Sequence, residues 1–388
     1  MHDSARHQSL HHFVAKAEWS DEEMLRRVCQ WVVPKMDFAE GGWWIIDDTG
    51  FPKKGSVGVT RQYCGMLGKQ DNCQVAVSVS IACTQGSLPV AWRLYLPQDW
   101  ADDPVRREKA GVPDEVRFAT KTQIALQQLR ELMAQGAPRH CVLADAGYGV
   151  DNAFRQALTD MGLEYVVGIT SAVVVWPPGV LPLPALPYSG HGRPPVMPRR
   201  TTRCQPMSVK ALAKALPPQA FQAISWREGT NDTLTGRFAA VRVRHAGGNA
   251  GRARLQPEQW LLIEWPADQD EPLKYCLSTL PEGTPLNELV GAAHQRWRIE
   301  RDYQDLKQDF GLGHYEGRGW LGFHHHASLC IAAHWFLMAE RLVADKPVGG
   351  KKIRRTPSAS PSRELHPPRS SCAHSGTSAT PSRHCATS

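Results

Sequence analysis

Apolar and polar positions along the chain fall into short runs that alternate between two periods. Trp43-Trp44-Ile45-Ile46 is an unbroken apolar run, the mark of a strand buried on both faces, and Asp47-Asp48-Thr49-Gly50 ends it. Cys141-Val142-Leu143-Ala144 repeats the pattern and ends in Asp145, with Gly147-Tyr148-Gly149 as a turn. Asp151 then stands where a helix N-cap belongs, ahead of Ala153, Phe154, Ala157 and Leu158. Between these runs, residues 73–82 and 88–96 alternate with period two around a Gly86-Ser87 turn, which predicts a hairpin beside the first strand. Residues 121–135 carry helical spacing through Ile124, Leu126, Leu129 and Leu132, and residues 164–169 read as a further strand. Strands and helices interleaved in this way predict an α/β class.

The flanks read differently. Residues 9–36 predict an amphipathic helix with Ser20 as a cap before Asp21-Glu22-Glu23. Prolines crowd residues 177–198, followed by Arg199, Arg200 and Arg203, as in a linker. Strand patterns then recur at 221–226, 237–245, 260–265 and 273–280, with Gly229-Thr230-Asn231-Asp232 as one turn, which predicts a β-rich insertion. Helical spacing returns over 285–310 and 328–342. After residue 345 the chain is mainly Pro, Ser, Arg, His and Thr, a composition that predicts disorder. The expected division is a helical segment over 1–40, a discontinuous core domain over 41–170 and 284–342, linker and insertion over 171–283, and a basic tail over 343–388.

Composition narrows the function classes only a little. In 388 residues, 45 basic and 38 acidic side chains leave a net charge of +7, compatible with a polyanionic partner. No stretch of about 18 apolar residues suggests a membrane span, and the first residues lack a signal-peptide core. Ten cysteines without a C-x-x-C pair argue against zinc and for reduced thiols in a cytoplasm. No phosphate-binding loop motif occurs near Gly50–Gly55 or Gly68-Lys69.

The candidate chemistry lies in the acids. In an open α/β sheet, ligands bind beyond the carboxyl ends of the strands, where Asp47-Asp48 and Asp145 fall. Alternation sends Asp47 and Asp48 to opposite faces, so one of them is expected to face the site. A third carboxylate would complete a hard-metal site. On the helix expected over 293–310, Ile299, Tyr303, Leu306 and Phe310 form an apolar stripe, and Arg296, Glu300 and Lys307 share a neighbouring face. Each acid also has a plainer reading: Asp145 as the start of an Asx-turn, Glu300 as the i, i+4 ion-pair partner of Arg296, and Arg296 and Lys307 as mere counter-charges.

Taken together, Ile46-Asp47-Asp48-Thr49-Gly50-Phe51-Pro52-Lys53-Lys54-Gly55, Arg61-Gln62-Tyr63-Cys64-Gly65, Ala144 to Gly149, and Arg296 to Lys307 resemble the DDE transposases of bacterial insertion sequences. The resemblance runs from about Ser9 to about Leu342. Arg296, Glu300 and Lys307 match the spacing of a Tyr-x2-Arg-x3-Glu-x6-Lys signature found in one cut-and-paste group, with Ala293 at the Tyr position. It implies an RNase H-like mixed sheet flanked by helices and interrupted by the β-rich insertion. It also implies Asp48, rather than Asp47, with Asp145 and Glu300 as catalytic and metal-holding acids. Oxygen-only ligands suit Mg²⁺ or Mn²⁺, and two such ions suit cleavage of DNA strands and transfer of the 3′ end. Arg296, Lys307, Lys53 and Lys54 become candidates for DNA phosphates. The implied partners are double-stranded DNA, as element ends carrying terminal inverted repeats and as target DNA, and a second copy of the chain when DNA is bound. A DNA-binding segment shortened within residues 1–40, and a tail of shifted-frame character, lead us to expect weak end recognition. A metal-dependent DNA nuclease of the same fold and an inactive DNA-binding remnant are the competing readings.

Overall fold

The computed structural model describes residues 2–54, 59–195, 197–202, 204–227, 233–247 and 255–344. The turn expected at Gly229–Asp232, Arg203, and the tail from residue 345 onward lie outside the described residues.

The strand built on the Trp43–Ile46 run does not stop at the two acids. β1 (Trp43–Pro52) continues through them because β3 pairs with it along its whole length, from Trp43↔Ala82 to Pro52↔Cys73. What stops is its other neighbour. β5 (Cys141–Ala144) runs parallel to β1 only from Trp43 to Ile46, so beyond Ile46 one edge of β1 is open. β2 (Thr60–Cys64) and β4 (Gly86–Leu94) share the far edge of β3 (Lys69–Cys83), and β6 (Tyr165–Ile169) lies parallel to β5. The order β4-β3-β1-β5-β6, an antiparallel meander followed by two parallel strands, is that of the RNase H-like fold.

The β-rich segment extends this sheet. β12 (Lys274–Ser278) pairs antiparallel with β6, and β11 (Glu258–Glu264), β10 (Thr233–His245), β7 (Val174–Trp176) and β8 (Met207–Ser208) follow outward, with β9 (Gln222–Arg227) on the free part of β10. Twelve strands thus form one mixed sheet among the described residues. Its apolar interior is continuous, from Trp44 and Ile45 through Val166 and Leu277 to Leu261 and Val243.

The helices cover the sheet and set its site. The amphipathic N-terminal stretch is two helices, α1 (His2–Ala15) and α2 (Asp21–Val32). The break comes where the Ser20 hydroxyl accepts from the Glu23 amide and starts a new helix. Short α3 (Gln98–Ala101) and α4 (Pro104–Ala110) lead to α5 (Lys121–Ala134), which opens on a capping box between Thr120 and Gln123. α6 (Ala146–Gly149) and α7 (Asn152–Asp160) follow β5, each capped by the aspartate before it. The insertion contributes α8 (Val209–Ala215), built from the good helix formers Ala, Leu and Lys and capped by Ser208.

The helix expected over 285–310 is likewise two, α9 (Leu286–His294) and α10 (Trp297–Gln308), stepped at Gln295-Arg296. Arg296, at the N-cap of α10, spends its side chain on two carboxylates rather than on capping. α11 (Trp320–Ala344) is long and apolar enough by composition to cross a membrane, but it packs on α1, α2 and β4. Of its histidine run, buried His325 bonds the Val14 and Trp19 carbonyls and His324 accepts from the Leu94 amide.

Candidate active site

The open edge of β1 becomes a cleft of ≈1080 Å³ whose lining includes Asp47, Asp48, Asp145 and Glu300. Alternation along β1 holds. Asp47 and Thr49 point toward α10, where Arg296 and Lys307 meet them, and Asp48 points toward α5 and α6. The expectation that only one of the two acids opens on the site fails. With β5 absent beyond Ile46, the cleft wraps round the strand edge and reaches both faces.

Each acid has a defined partner. Asp48 Oδ1 accepts from Lys121 Nζ at 2.9 Å and its Oδ2 from the Tyr148 hydroxyl at 3.4 Å. Asp145 Oδ1 accepts from the Gly147 amide at 2.9 Å, so the Asx-turn reading is right as far as it goes; its Oδ2 makes no hydrogen bond among the described residues. Glu300, 58% exposed on the outer flank of α10, takes the Arg296 guanidinium at 2.6 Å, and the same guanidinium reaches Asp47 Oδ2 at 3.3 Å.

Below the acids, α10 is bolted to the sheet. Buried Asp302 accepts from Ser80 at 2.8 Å and Ser87 at 2.6 Å, and the Tyr303 hydroxyl meets Ser78 at 2.8 Å.

Burial and crowding set the charge states. Burial pushes the Asp47 carboxyl up to about 7; Arg296 opposes the shift, and Asp145 and Asp48 add to it. Burial, and after it the carboxylates nearby, raise the Tyr148 and Tyr303 phenols, so both remain hydroxyl donors. Burial lowers the Arg296 guanidinium, but Asp47, Glu300 and Asp145 outweigh it and raise the group overall.

The expected basic residues divide. Arg296 and Lys307 line the cleft, and both are engaged: Lys307 Nζ bonds Thr49 Oγ1 at 2.7 Å and the Gly50 carbonyl at 3.1 Å. Lys53 and Lys54 do not line it. Lys53 bonds the Tyr315 carbonyl, and Lys54 is exposed. Lys121, Tyr148 and Tyr303 were not anticipated. A lone lysine opening a helix carries no motif, Tyr148 read as part of a Gly-Tyr-Gly turn, and Tyr303 read as part of the apolar stripe.

The model of the family described as DDE superfamily endonuclease matches residues 1–233, more than half of the chain. The chain belongs to the DDE superfamily endonucleases. Asp48 and Asp145 fall inside the matched residues of this DDE chain; Glu300 lies beyond them. Among curated proteins, the probable transposase for insertion sequence element IS701 of Microchaete diplosiphon is 35% identical over 167 residues, 42% of this chain and 41% of the relative. The match therefore spans less than half of the relative's length. A piggyBac transposase synaptic complex with hairpin DNA aligns over 79% of this chain and 54% of that one, at a TM-score of 0.38 and 10% identity.

DDE superfamily members generally use divalent metals, and the donor set fits that use: carboxylate oxygens only, suited to hard cations. Three of the four acids are paired with cationic side chains, Asp48 with Lys121 and Asp47 and Glu300 with Arg296, while Asp145 takes only the amides of its own turn. Among the described residues, no three or more His, Cys, Asp or Glu side chains are pre-gathered as a ligand set.

Proposed function

We propose that the chain is an insertion-sequence transposase that cleaves DNA at element ends and joins the 3′ ends to target DNA. The observation that carries this reading is the meeting of Asp48, Asp145 and Glu300 on one cleft of an RNase H-like sheet in a DDE superfamily chain. The likeness to a probable transposase supports the choice of transposase over nuclease.

Asp48, Asp145 and Glu300 would hold Mg²⁺ or Mn²⁺, two ions per site, which when bound supply Lewis-acid activation of the attacking oxygen and stabilise the leaving one. Asp145 is oriented by its own turn amides, which leaves Oδ2 free for the site. Glu300 rides on a helix tethered to β3 and β4, so its placement relative to Asp145 is held by buried polar bonds. Arg296 sits between Asp47 and Glu300 and is placed to hand a guanidinium to a backbone phosphate once Glu300 is otherwise engaged. Lys307 braces the continuation of β1, with phosphate contact secondary to that role. Double-stranded DNA, as terminal repeats and target, is the partner, with a homodimer in the DNA-bound state and the cytoplasm as the setting.

The test is Mg²⁺-dependent nicking of a plasmid carrying the element's ends, followed by strand transfer with a pre-cut end. Asp145→Asn, which removes charge at nearly constant shape, should abolish nicking and leave DNA affinity nearly intact. Nicking without strand transfer would favour the nuclease. Cleavage by Asp145→Asn at the wild-type rate would remove this carboxylate from the chemistry.

A further inference from the structure

Lys121 is the cation on Asp48, and its position is hard to explain by stability alone. It is the first residue of α5, where the helix dipole opposes a positive charge. The capping box at Thr120 and Gln123 holds that helix start in place, so the lysine projects from a fixed point. Its ammonium lies 2.9 Å from Asp48 Oδ1, with the side chain 32% exposed in the cleft wall. The other cations of the cleft are committed elsewhere, Arg296 to Asp47 and Glu300, Lys307 to Thr49 and Gly50.

We propose that Lys121 holds Asp48 in place of a divalent ion and, when an ion takes that carboxylate, turns its ammonium to a DNA phosphate. This rests on the functional reading above. A hard cation on Asp48 and the ammonium 2.9 Å from its Oδ1 repel each other, so each weakens the other's hold on the carboxylate. The displaced ammonium stays in the same partly exposed cleft, where the nearest anion introduced by substrate is a backbone phosphate. Ion binding therefore frees the ammonium for a phosphate contact, and a phosphate that draws Lys121 away frees Asp48 as an ion ligand. The two bindings reinforce each other through one side chain, as linkage requires.

The experiment measures Mn²⁺ binding to the DNA-free full chain by calorimetry, for the wild type, Lys121→Met, Lys121→Arg and Asp48→Asn. Removing the competitor in Lys121→Met should tighten Mn²⁺ by roughly two- to fivefold, the scale of one partly exposed ion pair. Lys121→Arg keeps the charge and should stay near wild type. Asp48→Asn should weaken binding strongly.

A second readout is duplex DNA affinity against salt. Adding Mn²⁺ should steepen the wild-type slope by about one unit, as for one more phosphate contact. In Lys121→Met the slope should not change with Mn²⁺, and without Mn²⁺ it should equal that of the wild type. Mn²⁺ affinity in Lys121→Met equal to or weaker than wild type, with Asp48-dependent binding intact, overturns the role of Lys121 alone. Wild-type Mn²⁺ binding that Asp48→Asn leaves unchanged overturns the reading of the site, and this inference with it.

Discussion

Two acids, half-buried Asp47 and buried Asp302, have carboxyls pushed by loss of solvent to about 7, well above the usual carboxylate range. Each binds its proton more tightly folded than unfolded, where the carboxyl titrates near ~4. Their contribution is therefore complete below about pH 4 and is lost as pH rises toward about 7, above which it stays lost. We predict that Asp302→Asn, which keeps an acceptor for Ser80 or Ser87, flattens the fall in stability between those limits; urea midpoints taken at half-unit steps would show it. An unchanged slope would mean that Asp302 does not titrate in that window. The β1 pair allows a second comparison. Asp48→Asn should abolish Mg²⁺-dependent cleavage, and Asp47→Asn should cost about tenfold, the scale of one charge-assisted hydrogen bond lost from Arg296. Equal losses would place both acids on the reacting centre. At this scale the sequence was legible for which acids share a cleft, since Asp48, Asp145 and Glu300 line one together. It was silent on Lys121, because what singles that lysine out is a contact 73 positions away in the chain.

The acids are presented by the mismatch between β1 and β5, since one strand continues where its parallel neighbour ends. Sequence reading placed both apolar runs and both acids, but it took the end of apolarity for the end of the strand. Pairing to β3 overrides that local signal, because an antiparallel partner satisfies the β1 backbone whatever its side chains are. The step between α9 and α10 was invisible for a related reason. No Gly or Pro marks it, and it coincides with the reach of Arg296 to β1. The seat of Asp145 depends on a close backbone approach. A Cβ on Gly149 would collide with the Gly168 carbonyl oxygen, and one on Gly168 would come within 2.9 Å of the Ala146 amide. Gly149→Ala should therefore cost about 1–3 kcal/mol and shift the turn that orients Asp145. Gly65→Ala, where a Cβ meets nothing within 4 Å, serves as the control. Chemical denaturation of the two variants decides it: a neutral Gly149→Ala would show that α6 can move away from β6 at no cost.

On the scale of the whole molecule, the segment between the second and third acids is structurally inseparable from the acids it divides. β12 gives β6 its second neighbour, and Leu261, Ile263, Tyr275 and Leu277 belong to the same apolar interior as Trp44 and Val142. α9, which leads directly into the Glu300 helix, packs on β9, β10 and β6. Composition and strand count made the β-rich character of residues 171–283 legible. Which edge those strands would join was not, because β6 and β12 are separated by more than a hundred residues and no local pattern encodes their pairing. Replacing residues 171–283 by a short linker should then do more than remove a DNA-facing surface. It would strip β6 to an unpaired apolar edge, a template for aggregation, and leave α9 without its floor. We predict that such a variant is insoluble or lacks fixed aromatic packing. The intact chain should unfold through residue 344 in one transition, seen alike by tryptophan fluorescence and far-ultraviolet dichroism. A soluble deletion variant with native near-ultraviolet dichroism would show instead that the five-stranded core, with its acids, stands without the strands that extend it.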